Sequence, residues 1–228
     1  VSLSTPRPFR LLLMRHGQTH GNVAGALDTG FPGLDLTDLG RAQAEAAVDR
    51  LAPHAVENVF VSKLVRTHQT AAPLASHHAI APVELPGIHE ITAGEYEMAT
   101  TREAVMGYLG TVQKWLTGEL SARMPGAETG AEFLERYDAD VATIAGSGAE
   151  TALLVSHGAA IRTWVAARVP GVADLPEARQ PLHNTGVITV ESHPTTDWRL
   201  VDWHAEPIGG VTDGVGVMDP YRQSTSGA

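Results

Sequence analysis

Two apolar runs in this chain end on a His-Gly pair. Leu11–Met14 leads into Arg15-His16-Gly17, and Ala152–Val155 leads through Ser156 into His157-Gly158. A third run, Val59–Val61, ends at Ser62 and is followed by Arg66 on the first turn of a helical pattern. Taken singly, each histidine reads as a strand end with a local hydrogen bond, and Arg66 as a solvated helix residue. Taken together, Arg15, His16, Arg66 and His157 make a cation-capable set in a chain whose net charge is −10. The phosphoryl group is the chemistry that wants such a set. Guanidinium forks match its non-bridging oxygens, and an imidazole nitrogen can attack phosphorus in line. Neighbouring positive charge would hold His16 below the usual imidazole pKa of about 6.5 and keep it neutral for attack.

For these residues to meet, their strands must lie side by side with their carboxyl ends together, where open α/β sheets bind ligands. Apolar, β-branched runs of strand length occur at Leu11–Met14, Val59–Val61, Ala152–Val155, Val187–Val190 and Trp198–Trp203. Helical patterns lie between most of them: one capped at Thr37, carried by Arg41–Ala52 and stopped by Pro53, then Leu64–His78 and Ala159–Arg168. The expected fold is α/β, three-layer, with a mostly parallel central sheet and helices on both faces. Gly17 and Gly158 read as tight turns into the following helices, whose N-termini would offer N–H donors to an anion. The segment Pro86–Gly148 holds two helical stretches, Thr101–Leu116 and Glu128–Ala145, without a strand between them, and reads as a helical insertion near the active site. The expected organisation is a single domain over 1–205, with the insertion at about 86–148, and a Gly/Asp/Ser-rich mobile tail over 206–228.

The bulk numbers narrow the partners. Hydrophobic residues are 43% and charged residues 18%, which suits one globular core. Sixteen Lys+Arg stand against 26 Asp+Glu, with no basic cluster, so nucleic acid and anionic membrane are not expected partners. There are no cysteines, which excludes disulfides, thiolate zinc sites and a Cys nucleophile. No window approaches a membrane span, and the opening VSLSTPRPFR lacks the apolar core of a signal peptide, so the expected location is cytoplasmic. Among the eleven histidines, His16 and His20 have i,i+4 spacing and His77-His78 are adjacent, but HGQTH lacks the glutamate of a zincin helix. No metal site is expected. Ser156 precedes His157 without a GxSxG motif, so it is read as structural.

The ordered motifs RHGQT with Asn22, SKLVRTHQTA, HE followed by GEYE, and SHG resemble the histidine phosphatase superfamily, the phosphoglycerate mutase-like proteins. The resemblance covers about Leu11 to Val190. It implies that His16 is the nucleophile that forms a phosphohistidine, that Arg15, Arg66 and His157 hold the phosphate, and that Glu90 protonates the leaving oxygen. Asn22 falls at a position that contacts the phosphoryl group or its ester oxygen, and equally suits a turn before Gly25. Thr29 and Gly30 fall in the substrate-side loop. Pro125-Gly-Ala-Glu-Thr resembles a Pro-Gly-Gly-Glu-Ser element of the phosphatase members, and also reads as the capped start of a helix. The implied function is metal-independent and cofactor-free hydrolysis of a small phosphorylated metabolite. A phosphoglycerate mutase using the same phosphohistidine and a non-catalytic phosphate-binding regulator are the alternatives. A homodimer is allowed by the sequence, which does not fix oligomeric state.

Overall fold

The computed structural model describes residues 8–193 and 196–212. Strand β1 (Phe9–Arg15) sits inside the sheet because Leu11, Leu12, Leu13 and Met14 are all apolar, as a strand covered on both faces requires. Its neighbours are β4 (Thr151–Ser156), parallel, and β5 (Val187–His193), antiparallel. Beyond β4 lie β2 (Asn58–Ser62) and β3 (Val83–Leu85), both parallel, and beyond β5 the antiparallel edge β6 (Thr196–His204). The order is β3-β2-β4-β1-β5-β6. The three-residue β3 escaped the sequence reading because Val83 and Glu84 are exposed and only Leu85 is buried, so no apolar run marks it.

Alternate residues of β1 feed two cores. Leu11 and Leu13 pack with α4 (Arg102–Leu116), α5 (Gly130–Ala145) and α6 (Gly158–Arg168). Leu12 and Met14 pack with α2 (Asp38–Leu51) and α3 (Val65–His78) on the opposite face. A line of rings, Trp115, Phe133, Tyr137, Trp164 and Trp198, fills the first face with centroids 5.6–5.8 Å apart, so these tryptophans are packing residues. Thr37 caps α2 as expected, its hydroxyl accepting from Gly40 N at 3.0 Å. The insertion holds a 3-10 turn at Gly94–Tyr96, then α4 and α5. No helix among the described residues is long and apolar enough to cross a membrane.

A five-residue helix, α1 (His20–Ala24), was not anticipated. A Thr19–Asn22 capping box opens it and Gly25, at φ 67°, closes it. Most of the expected mobile tail lies outside the described residues. Residues 206–212 lie along α2: Ile208 packs on the second core, its carbonyl accepts from Arg50, and the Val211 carbonyl accepts from Gln43.

Candidate active site

The site begins with register. Arg15 pairs with Ser156 across the parallel β1–β4 ladder, so His16 and His157 each stand one residue past adjacent strand ends. Their rings lie 5.3 Å apart between centroids. His16 Nδ1 sits 2.7 Å from the Gly17 carbonyl, which can only accept, so Nδ1 carries the proton and Nε2 keeps its lone pair. The His16 carbonyl accepts from Asn184 Nδ2 at 3.0 Å, and its N–H donates to Ser156 O at 3.0 Å. Burial, then Arg66, then Arg15 hold the His16 pKa well below the ordinary imidazole value.

The two glycines serve packing rather than turning. Gly17 has no positive φ; a Cβ there would meet the Gly40 carbonyl at 2.5 Å, where the α2 N-terminus closes on β1. Gly158 opens α6, and a Cβ there would stand 3.2 Å from Cδ and Nε of Arg15. The second glycine makes room for the guanidinium. Arg15 itself is held by the Leu182 carbonyl at 2.7 Å.

Arg66, 2% exposed, comes in from the first turn of α3. It bonds Asp28 twice, NH1 to Oδ2 at 3.3 Å and NH2 to the main-chain O at 2.9 Å. Asp28 carried no motif; the Arg66 it orients was the only available signal. Gly33, at φ 76°, leaves room for Arg66 NH1, which a Cβ would meet at 2.5 Å. His157 is wholly buried and does not line the cleft. Its Nε2 is 2.8 Å from Ser62 Oγ, and its Nδ1 has no partner among the described residues. Burial, then Arg66, keep this imidazole neutral too. Asn22 Oδ1 accepts from Thr19 N and Asn184 Nδ2, both at 3.1 Å, so the amide is fixed with its NH₂ left as donor.

Glu90 joins from the insertion. Its Oε1 accepts from Ile91 N and Ala160 N at 2.9 Å, and Oε2 from Ala159 N at 3.4 Å. The α6 N-terminus therefore serves this carboxyl, not a bound anion as the sequence suggested. Burial raises the Glu90 pKa against these bonds and the charges of Arg66 and Arg15. Glu95 is exposed, and Glu97 is engaged by Thr29 N, Gly30 N and the Thr29 hydroxyl. Neither competes with Glu90 for the cleft.

The segment carrying Glu90 is clamped by α5. Arg136 donates to the carbonyls of Gly87, His89 and Glu90. Glu128 grips Arg136 in a two-point bond, Oε2 to Nε at 2.7 Å and Oε1 to NH2 at 2.6 Å, and accepts from Thr92 N at 3.2 Å. Asp140 takes the Gly87 N–H. The Pro-Gly-Ala-Glu-Thr stretch thus has two jobs: Thr129 caps α5 with Glu132, and Glu128 steadies the acid's segment. Arg136 and Asp140 were invisible as site residues because their partners are main-chain atoms distant in sequence.

Arg15, His16, Thr19, Asn22, Ala26, Leu27, Asp28, Thr29, Arg66, Glu90 and Tyr108 line one cleft. The structure thus brings Arg15, His16, Asn22, Arg66 and Glu90 onto one surface, with His157 beside His16. Two arginines and an amide can hold phosphoryl oxygens, a neutral imidazole can attack, and a carboxyl of raised pKa can give up a proton. His20 is exposed while His16 is buried, so that i,i+4 pair faces no common point. Among the described residues no cluster of three or more His, Asp or Glu is gathered for a metal.

One family model and several known proteins are similar to this chain. The family model of the histidine phosphatase superfamily (branch 1) matches residues 11–206. PE-PGRS family protein PE_PGRS11 of Mycobacterium tuberculosis is 37% identical over 215 residues; the match covers 86% of this chain and 36% of that protein, so the chain spans about a third of that relative. A Serratia proteamaculans protein named "Probable phosphoglycerate mutase GpmB" is 26% identical over 205 residues, covering 90% of this chain and 94% of that one. Among solved structures, mycobacterial glucosyl-3-phosphoglycerate phosphatase superposes with a TM-score of 0.73 at 27% identity, covering 88% of this chain and 100% of the other.

Proposed function

The chain belongs to the histidine phosphatase superfamily, and from that footing we propose that it hydrolyses small phosphomonoesters, without a metal, through a phosphoryl group carried on Nε2 of His16. The carrying observation is the hydrogen bond from His16 Nδ1 to Gly17 O, which makes Nε2 the nucleophilic nitrogen in the cleft that Glu90 also lines. In the first step the Nε2 lone pair attacks phosphorus, the P–O ester bond breaks, and the leaving oxygen takes the Glu90 proton. In the second, the Glu90 carboxylate takes a proton from water, the water oxygen attacks phosphorus, and the P–N bond breaks. Phosphate departs, and both side chains return to their starting states. Arg15 and Arg66 neutralise the phosphoryl oxygens and, with the Asn22 amide, orient them, while His157 stands behind His16.

Hydrolysis is favoured over mutase chemistry by the placement of cations. A mutase must hold a doubly charged intermediate while it reorients and must keep water out. Of the insertion's cations, Arg136 is consumed by Glu128 and main-chain carbonyls, Arg102, Lys114 and Arg123 are exposed, and none of them lines the cleft. The phosphatase named among the structural neighbours supports the same reading, whereas the GpmB relative supports the other. A non-catalytic phosphate binder would need neither a nucleophilic nitrogen nor a carboxyl of raised pKa beside it.

The test supplies 3-phosphoglycerate with catalytic 2,3-bisphosphoglycerate, and separately a panel of alkyl and sugar phosphates, with EDTA present. Phosphate release without isomerisation, lost in His16→Ala, is expected. Isomerisation outpacing phosphate release by orders of magnitude would make this chain a mutase.

A further inference from the structure

The far wall of the cleft is built differently from its phosphate end. Beyond Arg15, His16, Asn22 and Arg66, the lining turns to Ala26, Leu27 and Tyr108, whose hydroxyl is 3.2 Å from the Ile91 carbonyl. Three large apolar side chains stand exposed on the segments that carry this wall: Val23 at 59%, Phe31 at 54% and Met98 at 49%. Val23 follows Asn22 on α1, one turn before Ala26. Phe31 lies two residues past Thr29 and sets its ring edge-on to His89, 5.3 Å away, beside Glu90. Met98 is tied to the lining directly: its N–H donates to Leu27 O, and Leu27 N–H donates to Ala99 O, both at 3.0 Å. Met98 also keeps a positive φ of 59°, a costly conformation for a non-glycine residue and one that collects at functional sites. Scattered exposed apolar residues mean little, but each of these three lies within two residues of, or is bonded through its backbone to, a residue that lines the cleft.

Charge points the same way. The cations lining the cleft are Arg15 and Arg66, both at the phosphoryl end, and Arg66 is already paired with Asp28. Asp28 and Glu90 add carboxyls to the lining, and Glu97 stands behind Thr29. Lys63 is exposed and outside the lining. Among the described residues a carboxylate or second phosphate on the leaving group would meet acidic groups and no cation of its own, while an apolar group would cover exposed hydrocarbon.

Building on the hydrolase reading above, we infer that the leaving alcohol of the substrate is uncharged and carries an aromatic or aliphatic body that rests on Val23, Phe31 and Met98. The test compares kcat/KM for 2-phenylethyl phosphate, glycerol 1-phosphate and 3-phosphoglycerate. The phenylethyl ester is expected to lead 3-phosphoglycerate by about tenfold or more, what partial burial of one ring supplies. Phe31→Ala and Met98→Ala should narrow the ratio of phenylethyl to glycerol phosphate several-fold, through KM. Val23→Lys, which adds a cation at the mouth, should raise 3-phosphoglycerate relative to the phenylethyl ester, a gain that misfolding cannot produce. Equal or higher kcat/KM for 3-phosphoglycerate, or ratios unmoved by all three variants, overturns the inference while leaving hydrolysis through His16 intact. Absence of phosphate release from every ester overturns both.

Discussion

His16 and Glu90 line one cleft, yet they are held there by different means. His16 is fixed by main chain: strands on both sides of β1, the Gly17 carbonyl at its Nδ1, and the Ser156 and Asn184 bonds to its own backbone. Glu90 sits on a segment without regular structure, fixed by Arg136 and Asp140 reaching in from α5, by Glu128 just before that helix, and by the α6 N-terminus. Burial pushes their pKa values in opposite senses, lowering His16 and raising Glu90. A neutral base and a retained proton side by side are what acid-assisted nucleophilic attack requires. The difference teaches that attack and proton delivery can be damaged separately.

The largest separation is expected from Glu90→Gln. The amide oxygen can still accept from Ile91 N and Ala160 N, so the fold is kept while the proton is lost. Turnover of alkyl phosphates should fall by roughly 10²–10⁴-fold, and phosphorylation by p-nitrophenyl phosphate, whose leaving group scarcely needs a proton, should fall far less. Equal loss of the phosphorylation step on both substrates would remove Glu90 from the acid's role.

Next comes the clamp. Arg136→Lys keeps the charge but cannot span Gly87, His89 and Glu90, and Glu128→Gln weakens the grip on Arg136. Each should cost about tenfold on alkyl phosphates and leave inhibition by inorganic phosphate close to its original strength. Parallel loss on alkyl and aryl esters would mean the clamp supports the fold as a whole rather than the acid.

pH separates the two groups again. The rate should fall on the acid side as His16 takes up a proton and on the basic side as Glu90 loses one, and Glu90→Gln should erase only the basic limb. Stability carries a related sign. His16 and His157 bind protons less readily when folded than when unfolded, so stability held above about pH 6.5 should decline as pH drops through that value. Replacing either histidine with glutamine should flatten that decline in urea titrations, and an unchanged slope would show that these imidazoles are not kept neutral by the fold.

The smallest effect is expected from Gly158→Ala. The methyl would press on Arg15 at 3.2 Å, while alanine favours the helix by up to about 1 kcal/mol. Phosphate inhibition should weaken a few-fold with thermal stability unchanged or raised. Lowered stability with unchanged phosphate binding would contradict the reason given for this glycine.

The same contrast governs what the sequence revealed. The strands were legible because β1 and β4 are buried on both faces and must be continuously apolar, and the residues just past them, Arg15, His16 and His157, could be placed by chain position alone. β3, with one buried residue, and α1, a single turn made by Thr19, Asn22 and Gly25, left no periodic trace. Glu90 was found through its family motif, but its support was not, since Arg136 holds it from 46 residues away. Asp28 and Asn184 were missed for the same reason. Gly17 and Gly158 were noticed and misread: the expected turns are close approaches to Gly40 and Arg15, which only a folded chain displays.

The most direct test is to locate the phosphoryl group atom by atom. Glu90→Gln treated with p-nitrophenyl phosphate should accumulate phosphoenzyme, because the aryl ester still phosphorylates and the water step has lost its base. Phosphorus NMR of that species after alkaline denaturation, with peptide mapping, is expected to find phosphate on Nε2 of His16. Phosphate on Nδ1 of His16, on His157, or on any hydroxyl would contradict the proposed attack.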